Sequence, residues 1–295
     1  MSDVLEKIDT GLRIIEYHED VRIIYACESG SRAWGFASED SDYDVRFIYT
    51  RPINQYLTCI PFVDCIDRVN GKMDTRELIR GYETEEIDIS GWDIKKCFEL
   101  LLKGNPVLSE WFQSPIVYHS DSSIVNYLKE LSLLFYKNKS GVYHYQHMAL
   151  RNFTQYIVNV TGDVILKKYL YVLRPLYACE WIIRYDGTPP PMEFDRIRKD
   201  DRILENPLFK EIGPIVQDLI DKKKEGIELG HGSKIPVLDK VCGELLNRYE
   251  AYAKVIEVKS ISEDTYETVK SLLRDMVQVA GSLEQMDKVF KRIKL

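Results

Sequence analysis

A mostly apolar run, Val21-Arg22-Ile23-Ile24-Tyr25-Ala26-Cys27, leads into Gly30-Ser31 and then, after an acidic loop, into Asp42-Tyr43-Asp44-Val45. Branched and aromatic residues in a short run suit a buried strand. The glycine-serine pair after it reads as a strand-to-helix turn. There the backbone can approach a ligand closely, and its N–H groups and a hydroxyl can face phosphate oxygens. If Tyr43-Asp44-Val45-Arg46-Phe47-Ile48-Tyr49 is a second strand, alternation puts Asp42 and Asp44 on one face and Tyr43 and Val45 on the other.

Two carboxylates on one strand face can share metal ions. Moving a nucleotidyl group from a nucleoside triphosphate requires neutral charge at the α-phosphate, an activated hydroxyl and a stabilised pyrophosphate. Two divalent ions roughly 3.5–4 Å apart do this together. Magnesium, with manganese as a substitute, takes hard oxygen ligands of this kind. Glycine-serine pairs and Asp-x-Asp triplets are common singly, so the information lies in their combination.

Ten residues separate Ser31 from Asp42, and Asp44 is followed by an apolar residue. This spacing resembles the nucleotidyltransferase signature of the DNA polymerase β superfamily. The runs Gly30-Ser31-Arg32-Ala33-Trp34-Gly35-Phe36 and Ser38-Glu39-Asp40-Ser41-Asp42-Tyr43-Asp44-Val45-Arg46-Phe47-Ile48-Tyr49 resemble, more narrowly, the YcgL/RlaP-like branch of predicted RNA-repair nucleotidyltransferases. Asp88-Ile89-Ser90-Gly91-Trp92-Asp93, Glu110-Trp111 with Ser114-Pro115-Ile116, and Leu166-Lys167-Lys168-Tyr169-Leu170-Tyr171 agree with that branch. In these motifs the likeness covers about the first two thirds of the chain.

The resemblance implies a third carboxylate on a strand beside the Asp-x-Asp strand, able to bind a metal and take the proton of the attacking hydroxyl. Asp88 fills this place by strand position. Asp93 is the rival, although it also suits the cap of the helix expected over 94–103, and Asp64 and Asp67 stay open. The implied ligand set is Asp42, Asp44 and Asp88 around two Mg²⁺ ions, with Gly30 and Ser31 on the β and γ phosphates. Arg32 either joins the phosphates or pairs with Glu39 and Asp40.

Composition bounds the rest. The chain has 295 residues, 45% of them hydrophobic and 29% charged, as in ordinary globular proteins. A formal charge of −7 gives no global attraction to polynucleotide, so any contact with nucleic acid has to come from a local basic patch. The six cysteines form no C-x-x-C pair, which speaks against a zinc ribbon and for reduced, partly buried thiols. No N-terminal signal pattern and no run long enough to span a membrane stand out. A cytoplasmic protein with no membrane partner is expected.

Along the chain, Val4, Leu5, Ile8, Leu12 and Ile15 predict a helix over 4–17. Residues 53–57 read as helix or loop, and Asn70-Gly71 as a turn between strands. Residues 85–90 read as a strand ended by Gly91. From 123 onward the pattern turns helical, with Pro189-Pro190-Pro191 as a stiff break. The fold class is therefore α+β: a polymerase β-like domain with a mixed sheet over 1–120, then a helical domain over 121–295 that closes a nucleotide cleft.

On that helical part Lys167, Tyr171 and Arg174 share one face at i, i+4 and i+7, which suits a triphosphate and a stacked base, with Lys168 beside them. The plain alternative is a solvated basic face. Pro175 should kink or end this helix and leaves the facing of Arg174 open. His144 and His147 lack partners for a zinc set and read as packing or hydrogen-bonding residues, while Arg151 could reach a phosphate. Trp34, Trp92, Trp111 and Trp181 read as core or hinge residues. Lys222-Lys223-Lys224 and Lys288, Lys291, Arg292 and Lys294 read as solvated runs, with polynucleotide contact as the other reading.

The activity implied is metal-dependent transfer of a nucleoside monophosphate, from ATP or another triphosphate, to an acceptor hydroxyl. The acceptor implied by the branch is the 3′ end of an RNA or transfer RNA. Template-independent addition to a DNA end, a protein hydroxyl or a small molecule is the second reading. A nucleotide-binding module without turnover is the third, and it fits less well because both carboxylates of the triplet are present.

Overall fold

The computed structural model describes residues 2–57, 59, 63–69, 73–74, 87–226, 230–257, 262–263 and 265–271. The first helix, α1 (Ser2–Glu19), buries Ile8, Leu12 and Ile15, the stripe its spacing predicts. Asp20 follows with φ 49, a left-handed turn that a short polar residue tolerates. The chain then enters β1 (Arg22–Ser29), turns through the short α2 (Gly30–Trp34), and returns along β2 (Tyr43–Thr50). Next come α3 (Ile53–Tyr56), β3 (Cys65–Ile66), and β4 (Arg68–Val69) paired with β5 (Met73–Asp74). The Asn70-Gly71 turn between these two short strands lies outside the described residues.

Strand β6 (Ile87–Asp93) completes the site-bearing part of the sheet. It runs through Gly91 rather than stopping there. A Cβ on Gly91 would collide with the ring of Phe47 on β2, so glycine is the residue that lets the two strands sit side by side. Strand and helix then meet without a loop, because Asp93 ends β6 and caps α4 (Ile94–Leu102) by accepting from the Lys95 N–H at 2.8 Å. Helices α5 (Pro106–Trp111) and α6 (Ser122–Leu134) flank β7 (Val117–Ser120), the last strand of this sheet. The sheet order is β3-β6-β2-β1-β7, with β2 and β6 parallel and the other neighbours antiparallel.

Period-two alternation sorts this sheet into two cores. Ile23, Ala26, Val45, Phe47, Tyr49, Ile87 and Ile89 face α1. Ile24, Cys27 and Ile48 face a second core made by Ile94, Phe98, Trp111, Ile124, Leu128 and Leu131. Helix α6 therefore belongs with the sheet, although the sequence pattern turns helical at its start.

The next helices along the chain form a third core. They are α7 (Asn138–Phe153) with a π-helical turn at Thr154–Val158, α8 (Lys167–Arg184), α9 (Phe194–Arg198), α10 (Asp201–Leu204), α11 (Pro207–Lys224) and α12 (Pro236–Val255). Strands β8 (Val164–Ile165) and β9 (His231–Gly232) pair beside them. Each large apolar side chain removed from water contributes about 1.5–3 kcal/mol. Phe36, just past α2, is buried within this helical core and so ties the glycine-serine turn to it. Helix α8 continues through Pro175 to Arg184, and the three prolines 189–191 lie in the link to α9. Among the described residues no helix is long and apolar enough to cross a membrane. Six free cysteines are present, four of them buried.

Candidate active site

The parallel register places Asp44 directly beside Asp88, and both project to the same face of the sheet. Gly30, at φ 59, lies against Asp44: a Cβ there would overlap the carboxylate, so only glycine allows this approach. The bend and the carboxylate are thus in contact, as the motif spacing predicts. Asp42 precedes β2 rather than lying within it and is exposed. Its carbonyl, with those of Glu39 and Ser41, accepts from the Arg32 guanidinium at 3.2–3.3 Å. Arg32 also covers the Tyr43 ring at 3.8 Å. It therefore holds the backbone of the loop that delivers Asp42, where the sequence suggested its carboxylates or the phosphates.

Behind this pair sits Glu28, fully buried at the end of β1. It accepts from the Asp44 N–H at 2.7 Å and from the Tyr118 hydroxyl, and burial raises its carboxyl above the ordinary range. Ser31 is 6% exposed, packed beneath the turn. Asp93 lies five residues from Asp88, about 16 Å further along the strand. It is fully buried, caps α4, accepts from Tyr56, and is pushed up to about 6 by that burial. Asp64 pairs with Lys96 at 3.1 Å. Of the rival carboxylates, Asp88 alone adjoins Asp44 in register.

The sequence reading missed Arg46. It lies two residues after Asp44 on the same face, and its Nη2 reaches Asp88 Oδ2 at 3.0 Å and Asp44 Oδ1 at 3.3 Å. Its Nη1 donates to the carbonyls of Val45 and Asp88. The signal was period-two alternation, which places residue 46 with residue 44. Asp44 and Asp88 offer hard carboxylate oxygens, the donor type that magnesium takes. Among the described residues no three Asp, Glu, His or Cys side chains converge into a metal set, and the arginine bridges the pair instead.

The helical core supplies the opposite wall. Burial raises Tyr171 on α8 above the ordinary tyrosine range, and the charges of Asp44 and then Asp42 add to this, so both carboxylates lie within its field. Tyr171 also packs edge-on to Trp34 at 5.5 Å. Lys168 lies over the rings of Tyr156 and Tyr171 at 4.2 and 5.0 Å, and burial lowers its pKa, with Lys167 adding to the effect. Lys223, on the last turn of α11, is 7% exposed and sits 5.0 Å from the Phe36 ring. Burial and then Lys167 push it down to about 8, against the opposing pull of Asp40 and Asp44.

Only one member of the Lys222-Lys223-Lys224 run thus turns inward, while Lys222 pairs with Asp218 in solvent. No sequence signal separated them, because the inward facing follows from how α11 lies on α8. Arg174 is not brought to this wall. It is 1% exposed, bonded to Glu110 Oε1 at 2.8 Å and to the Met192 carbonyl, and lies over Trp34. Elsewhere, His144, His147 and Arg151 line a groove of about 410 Å³ on α7, where His147 is taken by the Tyr143 carbonyl. Lys288, Lys291, Arg292 and Lys294 lie outside the described residues.

A family comparison covers both the carboxylate strands and the helical wall. The model of RlaP, the RNA repair pathway DNA polymerase beta family, matches residues 4–275. The chain belongs to that family. It is also 36% identical over 273 residues to the uncharacterized protein YcgL of Bacillus subtilis (strain 168), covering 92% of this chain and 96% of that relative. The RlaP match runs through the helical core, well beyond the two thirds in which motifs are legible. Lys223 and the whole of α11 fall inside it.

Proposed function

We propose that this RlaP-family chain transfers a nucleoside monophosphate from a nucleoside triphosphate to an acceptor hydroxyl, releasing pyrophosphate, with an RNA 3′ end as the acceptor. The observation that carries the reading is the in-register pair Asp44 and Asp88, with Asp44 in the field of both Lys223 and Tyr171. In it, Asp44 and Asp88, joined by Asp42 from the loop just before β2, would hold Mg²⁺, for which Mn²⁺ substitutes. Bound there, the divalent ions supply Lewis-acid charge at the α-phosphate and acidify the attacking hydroxyl.

The chain's own residues position the reactants. Gly30 lets the turn backbone approach the phosphates, and Ser31 presents its N–H there. Lys167, Lys168 and Lys223 take the phosphate oxygens as point charges. Tyr171 offers a ring for the base, and Asp88 accepts the proton of the acceptor hydroxyl. Arg174 has no place in this reading, since Glu110 holds it in the core. The division of labour follows the two parts of the chain: sheet for metal and proton, helices for phosphate and base. The sheet part is taken as 1–120 with α6 packed on it, and the helical part as the remainder.

The test is incubation with each labelled nucleoside triphosphate and Mg²⁺ or Mn²⁺, with and without total RNA. Incorporation into RNA 3′ ends is expected. Asp44→Asn, which keeps shape and folding, should reduce it about 10³-fold, a loss of several kcal/mol of transition-state stabilisation. Ordinary incorporation by Asp44→Asn and Asp88→Asn would refute the reading.

A further inference from the structure

Arg46 makes contacts that a surface arginine would not need. One guanidinium spans two strands and meets four acceptors: Asp44 Oδ1, Asp88 Oδ2, and the carbonyls of Val45 and Asp88. Its side chain is 20% exposed, and the two carboxylates are 31% and 34% exposed, so the pairings are partly shielded from water. The backbone carbonyls fix the fork, which lowers the entropy lost in holding both carboxylates.

We propose that Arg46 is a resident counter-ion that closes the carboxylate pair to free divalent cations, so that metal enters only together with a nucleoside triphosphate. This rests on the reaction proposed above and adds an order of binding to it. A bare cation must compete with Arg46 for Asp44 Oδ1 and Asp88 Oδ2, and its apparent affinity falls by the fraction of time that those oxygens are released. A metal bound to a triphosphate brings phosphate oxygens as further ligands. The same phosphates give the displaced guanidinium a new bidentate acceptor. Metal and nucleotide then bind with positive coupling, which by linkage is equal in both directions.

Mn²⁺ binding followed by electron paramagnetic resonance of the free ion tests this without turnover. The unmodified chain should bind Mn²⁺ alone weakly and at least about tenfold more tightly with a non-hydrolysable triphosphate, since releasing charge-assisted hydrogen bonds is worth that much. Arg46→Gln should bind Mn²⁺ alone at least about tenfold more tightly than the unmodified chain and lose most of the nucleotide effect. Arg46→Lys, which keeps the charge but cannot fork across both carboxylates, should fall between them. Circular dichroism melts establish that each variant is folded.

Equal or weaker binding of Mn²⁺ alone by both Arg46 variants overturns the inference. So does tight binding of Mn²⁺ alone by the unmodified chain. Asp44→Asn separates this failure from that of the proposed reaction. If it leaves nucleotide-dependent Mn²⁺ uptake intact, the metal reading itself falls. If it removes uptake while the Arg46 variants change nothing, only the role of Arg46 falls.

Discussion

On the sheet side of the site, Asp44 and Asp88 share the Arg46 guanidinium, which offsets one of their two negative charges from within the protein. On the helical side, Lys167, Lys168 and Lys223 stand within one another's fields, and among the described residues none of them forms an ion pair. The two walls carry opposite charge and opposite degrees of satisfaction. A carboxylate pair with a built-in cation is stable as it stands, whereas a buried Lys223 repelled by the half-buried Lys167 and Lys168 carries a cost which an anion relieves. The contrast with Arg174 is equally instructive. That cation lies on the same helix as Lys168, but it is matched by Glu110 and packed on Trp34, as a structural residue should be.

Exchanging the matched and the unmatched cation is the sharpest way to break this comparison. Arg174→Met leaves Glu110 buried and uncompensated and should cost about 3–5 kcal/mol of stability, read from denaturant midpoints. Lys223→Met should do the reverse. It removes a desolvated charge, so stability stays level or rises, while triphosphate affinity measured by calorimetry falls about tenfold or more. A Lys223→Met protein that unfolds early yet binds nucleotide normally would place Lys223 with Arg174 as structural.

Acidity sharpens the same contrast. Burial holds Lys223 down to about 8, so it loses its charge as pH rises through that value. Polyphosphate favours the charged form, so binding takes up protons there and should weaken severalfold between pH ~7 and ~9. Lys223→Arg, charged throughout, should flatten this profile. The smallest effect belongs to Asp93. Its carboxyl is raised to about 6, so the stability it contributes is full at low pH and is lost as pH rises through about 6. Asp93→Asn keeps the helix-capping oxygen and should hold turnover within about twofold. The melting temperature of the unmodified chain relative to this variant should fall as pH rises from ~4 to ~7.

The helix over 4–17, the strand before Gly30, the strand over Asp44 and the cap at Asp93 were all legible in the sequence, because each rests on a local period or on capping chemistry. Gly91 misled for a local reason: it reads as a stop, yet its missing side chain makes room for Phe47 across the strand pair. Helix α6 misled for a global one. Its pattern is that of the helices after it, but Ile124, Leu128 and Leu131 pack into the sheet core. Arg32 had an acidic loop within reach, and its actual partners are that loop's carbonyls, which carry no side-chain signature.

What the sequence determined by itself was the chemistry of one short arc: a glycine that permits a close approach, a carboxylate opposite it, and a strand whose alternation fixes the shared face. Those are consequences of backbone geometry over a few residues. Which of Asp88 and Asp93 stands beside Asp44, that Arg46 joins the two, and that Lys223 turns inward while Lys222 faces solvent were decided only by the parallel register of β2 with β6 and the seating of α11 against α8. Register and helix seating are settled by summed packing over distant segments, and no local pattern records that sum.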